Sequence, residues 1–216
     1  MRNLPEFRAP AAILAALALA GALAAQYRPA PFDYYVLSLS WAPAFCALPN
    51  EAARNPQECA PGRGIGFIVH GLWPQASDGR GPEACGTKPP PRAVVNLALP
   101  AMLSPGLIRY EWITHGTCTG LNPFDYFSAV VQARATVQIP VQITSIENQI
   151  TEGPRQIETQ FAGANPSFPQ TAFRTSCSGR VFHEERICFD KNLKPRACTA
   201  SVGECTSPAI VIRPPL

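Results

Sequence analysis

All eight cysteines, Cys46, Cys59, Cys85, Cys118, Cys177, Cys188, Cys198 and Cys205, lie downstream of an uncharged apolar run near the start of the chain. That run, "APAAILAALALAGALAA", follows Arg2 and Arg8 and contains the small-x-small triplet Ala22-Leu23-Ala24, the layout of a secretory signal. It is Ala-rich and shorter than the roughly 20 apolar residues of a membrane span, which sets it apart from an anchor. The sequence therefore predicts a signal peptide over residues 1–24 and a mature chain over 25–216, secreted or periplasmic, with no membrane segment of its own. An even cysteine count in an exported chain predicts four disulfides. The cysteines are widely scattered and form no CxxC pair, which argues against zinc. Spacing alone leaves roughly a hundred pairings open.

The roughly 190 residues after the signal suit one domain with a real core. Without Arg2, Arg8 and Glu6 the net charge is about +2, too small to argue for a polyanionic partner. Any nucleic-acid role must come from a site. Proline clusters such as "KPPPR" at Lys88 to Arg92 predict long ordered loops between patterned segments. "DYYVLSLSWAP" alternates Tyr35, Leu37, Leu39 and Trp41 against Val36, Ser38 and Ser40, a strand pattern. "GIGFIVHGLWP" predicts a second strand, stopped by the glycine and proline after His70. Ser104 and Pro105 can open a helix that Gly116 closes. Further helices are predicted from Pro123 to about Arg134, capped by Asn122, and from about Pro154 to Ala162. "RVFHEERICFD" reads as a late strand. Strands, then helices, then strands predict an α+β fold: a central antiparallel sheet flanked by helices and stabilised by disulfides.

The chain has three histidines, and two stand beside tryptophan and glycine, in "HGLWPQ" and "YEWITHGTCTG". Glu111 and His115, four apart on a helix, share a face with Tyr110 and Thr114 beside them. A carboxylate stacked against the imidazole orients it and moves its proton affinity upward. His70, expected at a strand end, can face His115 across a cleft. One imidazole then takes a proton while the other gives one, as general acid–base transfer at a phosphodiester requires. Taken singly, Trp73 and Trp112 read as core residues, and a Cys118 nucleophile beside His115 is the weaker reading of that cysteine.

The two segments resemble the active-site segments of the ribonuclease T2 family, written HGLWP and HEWxKHGTC. "YYVLSLSWAPAFC" is similar to the family's first core strand, and "RVFHEERICFDKNLKPRAC" to its C-terminal strand and cysteine pair. The resemblance runs from about Tyr34 to Cys205. It implies a general acid at His70, a general base at His115, and Glu111 steadying the phosphate and the histidines. It also implies 2′-hydroxyl attack on the 3′-phosphate, a 2′,3′-cyclic product and its later hydrolysis to a 3′-phosphate, without cofactor or metal. RNA is the implied substrate and DNA is not, since it lacks the 2′-hydroxyl. A monomer of low base specificity is expected. The resemblance pairs Cys85 with Cys118, Cys46 with Cys59, Cys188 with Cys198 and Cys177 with Cys205. His183 has no catalytic counterpart.

Two positions depart from the pattern. Tyr110 stands for the usual histidine and Thr114 for the usual lysine, both understood to bind phosphate. Losing a preorganised donor at developing charge costs about 3–4 kcal/mol, so a slower enzyme is expected. Arg109 points about 100° away from Tyr110 and does not replace it. Trp73 offers a stacking face for a base, and Gln75 an amide that suits adenine. The alternative function is a catalytically weakened relative that binds RNA or a partner.

Overall fold

The computed structural model describes residues 29–79, 81–203 and 205–216. The signal peptide expected over 1–24 lies outside the described residues. Six strands form one sheet: β1 (Tyr34–Trp41), β2 (Phe67–Gln75), β3 (Ile150–Glu152), β4 (Phe173–Ser178), β5 (Val181–Phe189) and β6 (Ile210–Ile212). The order is β2-β1-β5-β6-β3, with β4 pairing β5 beside that path. Every pairing is antiparallel except β5 with β6, which are parallel and meet at Val181 and Val211. The expected α+β sheet is thus antiparallel at its centre and mixed at one side.

β1 is buried on both faces, as a central strand must be. Tyr35, Leu37, Leu39 and Trp41 enter the main core with Phe161, Phe173, Phe182 and Phe189. Tyr34 and Val36 point the other way, into a small cluster with Cys188, Cys198 and Val202. The predicted alternation therefore separates two buried faces. Over the main-core face lie α4 (Arg92–Met102), α5 (Pro105–Thr114) and α6 (Pro123–Thr136), in contact with one another and with β2.

Short helices α1 (Ala42–Phe45), α2 (Glu51–Arg54) and α3 (Pro56–Cys59) fill the β1–β2 connection. Then α7 (Val141–Thr144) and α8 (Pro154–Ala164) precede β4, against which α8 packs.

The caps follow the sequence. Ser104 Oγ accepts from Leu107 N at 3.3 Å and Asn122 Oδ1 from Asp125 N at 3.0 Å. α5 stops at Thr114, two residues before Gly116: His115 is its C-cap, and a 3₁₀ turn covers Gly116–Cys118. The second strand departs from expectation. It does not stop at Gly71 but runs on to Gln75. β2 is the sheet's edge, where Pro74 forfeits no ladder bond. α4 had no counterpart in the sequence reading; it carries Pro100 in its last turn and no capping side chain.

The cysteines pair as Cys46–Cys59, Cys85–Cys118, Cys177–Cys205 and Cys188–Cys198, the pairs the resemblance implies. Among the described residues no single helix is long and apolar enough to cross a membrane.

Candidate active site

The register of β1 against β2 jumps at one point: Ser38 faces Gly71 and Leu39 faces Val69. His70 is the extra residue, a β-bulge that turns its side chain out of the ladder. It therefore sits inside a strand, not at the strand end that the sequence suggested. Its ring meets two carboxylates. Nδ1 lies 2.7 Å from Glu184 Oε1, and Nε2 lies 3.5 Å from Glu111 Oε1. A carboxylate can only accept, so the Nδ1 proton belongs to the Glu184 bond.

Glu184 comes from β5, whose register places it opposite Ser40 and places Arg186 opposite Ser38. Both charged residues thus rise on the Ser38–Ser40 face of the sheet, away from the Leu37–Leu39 core. Arg186 Nε and Nη2 donate to Glu184 Oε2 at 3.2 and 3.0 Å, and Nη1 donates to the Val202 carbonyl at 2.8 Å.

Glu111 is buried, and Trp73 Nε1 donates to its Oε2 at 2.9 Å. Its Oε1 has no hydrogen-bond partner among the described residues. Gly71 makes this approach possible: a Cβ there would stand 2.0 Å from Glu111 Oε2. His115, 9% exposed, holds a buried Nδ1 without a hydrogen bond among the described residues. The Trp73 ring lies between the two imidazoles, 5.2 Å from His70 and 5.6 Å from His115 by ring centres. Trp73 is therefore a cleft wall, whereas Trp112 is a core residue whose Nε1 donates to Lys88 O.

These surroundings push the groups apart. Burial lowers the proton affinity of His70. The Glu184 hydrogen bond and the charges of Glu111 and Glu184 outweigh it, so His70 lies above the ordinary 6.5. Burial, then the charge on His70, takes His115 down to about 4. The upward shift expected from a Glu111 partner is thus reversed, because Glu111 engages His70 and Trp73 instead. Burial raises Glu111 to about 7, against the pull of His70 and Trp73. Burial also acts to raise Glu184, but its bond to His70 and the charges of His70 and Arg186 hold it at about 2.

A cleft of about 530 Å3 opens beside Trp73, Gln75, Glu83, His115 and Arg186. His70 does not line that cleft; it lines a second hollow of about 540 Å3 together with Glu58, Leu107 and His183, and the Trp73 ring lies 5.2 Å from His70 by ring centres. Glu58 is buried and its carboxyl is raised to about 7. Tyr110 is 59% exposed. Thr114 is half-buried, and its carbonyl accepts from Ala84 N at 2.7 Å. Arg109 folds back to Pro105 O. Cys118 is in a disulfide and offers no thiol. Among the described residues no group of three or more His, Cys, Asp or Glu is arranged to hold a metal ion.

Sequence reasoning overlooked Glu184, Arg186 and Glu58. The signal for the first two lay in "HEER": charges two apart share one face of a strand, and in a central strand they need partners.

Comparison with known proteins gives the family and the fold. The chain is 30% identical over 181 residues to a "Probable ribonuclease" of Haemophilus influenzae, covering 78% of this chain and 62% of that protein. It is 35% identical over 113 residues to a "Ribonuclease" of Aeromonas hydrophila, covering 52% and 50%. The match thus spans between half and two thirds of these relatives' length. Among solved structures, an RNase-related protein from Calystegia sepium superposes with a TM-score of 0.66 at 22% identity, over 85% of this chain and 98% of that one. Trichomaglin, described as an S-like ribonuclease, gives 0.67 at 21%, over 85% and 98%. These place the fold with ribonuclease T2-type structures. Residues 32–198, which carry both histidine segments and the β5 carboxylate, match the model of the ribonuclease T2 family, and the chain belongs to that family.

Proposed function

We propose that this chain is an exported endoribonuclease whose catalytic unit spans residues 25–216 and acts as a monomer. His115, neutral above about pH 4, accepts the proton of the ribose 2′-hydroxyl as general base. The 2′-oxygen attacks phosphorus, the bond from phosphorus to the 5′-oxygen breaks, and His70 supplies the proton that oxygen needs. The product is a 2′,3′-cyclic phosphate. Water opens it to a 3′-phosphate with the two histidines exchanging roles. Glu184 holds His70 by Nδ1, leaving Nε2 for substrate. Glu111 stands beside that nitrogen and steadies it. Trp73 offers any base its face, so base specificity is low, and Gln75 adds an amide that suits adenine. Both protons travel on imidazoles, and the reaction is written without a metal.

The observation that carries this reading is the placing of two imidazoles against Trp73, His70 between two carboxylates and His115 buried with no hydrogen-bond partner for Nδ1 among the described residues. Environments that push two groups apart assign the acid and the base. The test is to incubate the oxidised mature chain with a short RNA in excess EDTA, beside its 2′-deoxy counterpart, and to weigh the ends. Cyclic phosphate from RNA alone supports the reading. No product between about pH 4 and 8 from folded protein overturns it.

A binding-only role is the second reading, favoured by the neutral and exposed Tyr110 where a phosphate ligand is expected. His115→Ala separates the two. An enzyme loses about 10²–10⁴-fold in turnover and keeps its RNA affinity; a binder has no turnover to lose.

A further inference from the structure

The proposed reaction places negative charge on the non-bridging phosphate oxygens, and carboxylates stand close by. Glu83 on the loop after β2 lines the cleft, and the buried Glu184 on β5 and Glu111 on α5 flank His70. Tyr110 and Thr114 carry no charge, and Arg109 bonds its own helix. His70 and His115 are occupied with proton transfer. Among the described residues lining the cleft, Arg186 is the one lysine or arginine.

Resting on that reading, we propose that Arg186 is the cation that binds the substrate phosphate. Its guanidinium is fixed before substrate arrives. Glu184 Oε2 takes Nε and Nη2, Val202 O takes Nη1, and Cζ lies 5.5 Å from the centre of the Trp73 ring. Guanidinium has five N–H donors. These bonds use one N–H on each nitrogen, and the remaining two have no partner among the described residues. The side chain is 25% exposed, and it lines the same cleft as His115. A planar, permanently charged fork with two spare donors matches two phosphate oxygens. Because the fork is already held, little rotamer entropy is lost on binding.

The arrangement also balances charge. Glu184 is shared by His70 and Arg186, one on each carboxylate oxygen. With His70 protonated, His70 and Arg186 flank Glu184 while Glu111 stands beside His70 Nε2, which leaves Arg186 as the cation that faces the cleft. A lysine on the same stem would reach Glu184 or the phosphate, but not hold both in one plane.

The experiment titrates inorganic phosphate calorimetrically into the wild-type chain, Arg186→Met and Arg186→Lys, then repeats it with the four 3′-nucleotides. RNA turnover is measured in parallel, and ring NMR follows His70. Arg186→Met is expected to weaken phosphate binding about 10- to 100-fold, by one common factor across the four nucleotides. Arg186→Lys recovers part of that loss. Unchanged phosphate affinity in folded Arg186→Met overturns the proposal. A loss confined to one nucleobase also overturns it and makes Arg186 a base reader. No phosphate binding by the wild type below about 10 mM does the same. A changed His70 titration with intact phosphate binding shows Arg186 to be only a support for Glu184. If Arg186→Met does not fold, Arg186→Lys decides, with phosphate affinity between wild type and none expected and full affinity excluding the fork. Phosphate binding is read without turnover, so a chain that binds phosphate through Arg186 yet leaves RNA intact defeats the enzymatic reading alone.

Discussion

At the scale of single residues, the proposed acid and base are two identical side chains in opposite surroundings. His70 stands between two carboxylates, and His115 is buried with no hydrogen-bond partner for Nδ1 among the described residues. The rate should therefore rise with pH through about 4 as His115 loses its proton. It should fall again above 6.5 as His70 loses the proton it must donate. Glu184→Gln keeps the shape of the Nδ1 partner and removes its charge. His70 then binds its proton less tightly, so the falling limb moves to lower pH while the rising limb stays. A pH series of kcat/KM on both proteins reads this, and a fixed falling limb shows that Glu184 does not set His70. Spacing made His70, Glu111 and His115 legible in the sequence, but not which groups they would touch. Four residues apart on a helix, Glu111 and His115 would be expected to pair. α5 ends at Thr114 with His115 as its cap, and the carboxylate is left to the bulge of β2. Contacts between distant strands, such as Glu184 with His70, have no local signature.

At the scale of elements, the bulge explains why the first motif reads His-Gly. The extra residue turns His70 out, and the next residue must leave room for Glu111. Gly71→Ala would place a Cβ within 2.0 Å of Glu111 Oε2 and 2.6 Å of Trp73 Nε1. Either the carboxylate or the indole must move. The expected cost is about 1–3 kcal/mol, as for other overpacked sites, with turnover falling further than stability because both groups flank His70. Thermal melts beside single-turnover rates check it, and wild-type turnover would show that Glu111 can shift freely. By contrast, Asn122 does not line the cleft, and Asn122→Ala removes the cap of α6. It should cost about 1 kcal/mol and leave the rate alone. The strands and the capped helices were legible because alternation and cap residues are local signals. The end of β2 was not, since Gly71 and Pro74 resemble a turn until the strand is known to be an edge. α4 opens without a capping side chain and carries Pro100, so it shows neither of the usual helix boundaries.

At the scale of the whole molecule, the two histidine segments belong to parts of the chain that only long-range links hold in place. The Cys85–Cys118 bridge joins the loop after β2 to the 3₁₀ turn that follows His115. Two backbone bonds lie beside it, Ala84 N to Thr114 O at 2.7 Å and Ala30 N to Cys118 O at 3.0 Å. With a sequence separation of 33, the bridge contributes about 4 kcal/mol in the chain-entropy model, against about 3 for Cys188–Cys198, ten residues apart. Replacing Cys85 and Cys118 by Ala together should lower the melting temperature by about 8–16 °C for a chain of this size. The unfolded-chain term alone leaves the native site unchanged. The bridge also anchors the turn after His115, so the rate at 25 °C, well below the transition, should fall as the imidazole loses its register with Trp73. Replacing Cys188 and Cys198 instead should lower the melting temperature less and disturb the Tyr34–Val36 cluster rather than that turn. Both variants melting early with only the first losing rate would make Cys85–Cys118 part of the catalytic geometry. Equal and full rates at 25 °C would confine both bridges to stabilising the fold, and leave His115 held by α5 and the two backbone bonds.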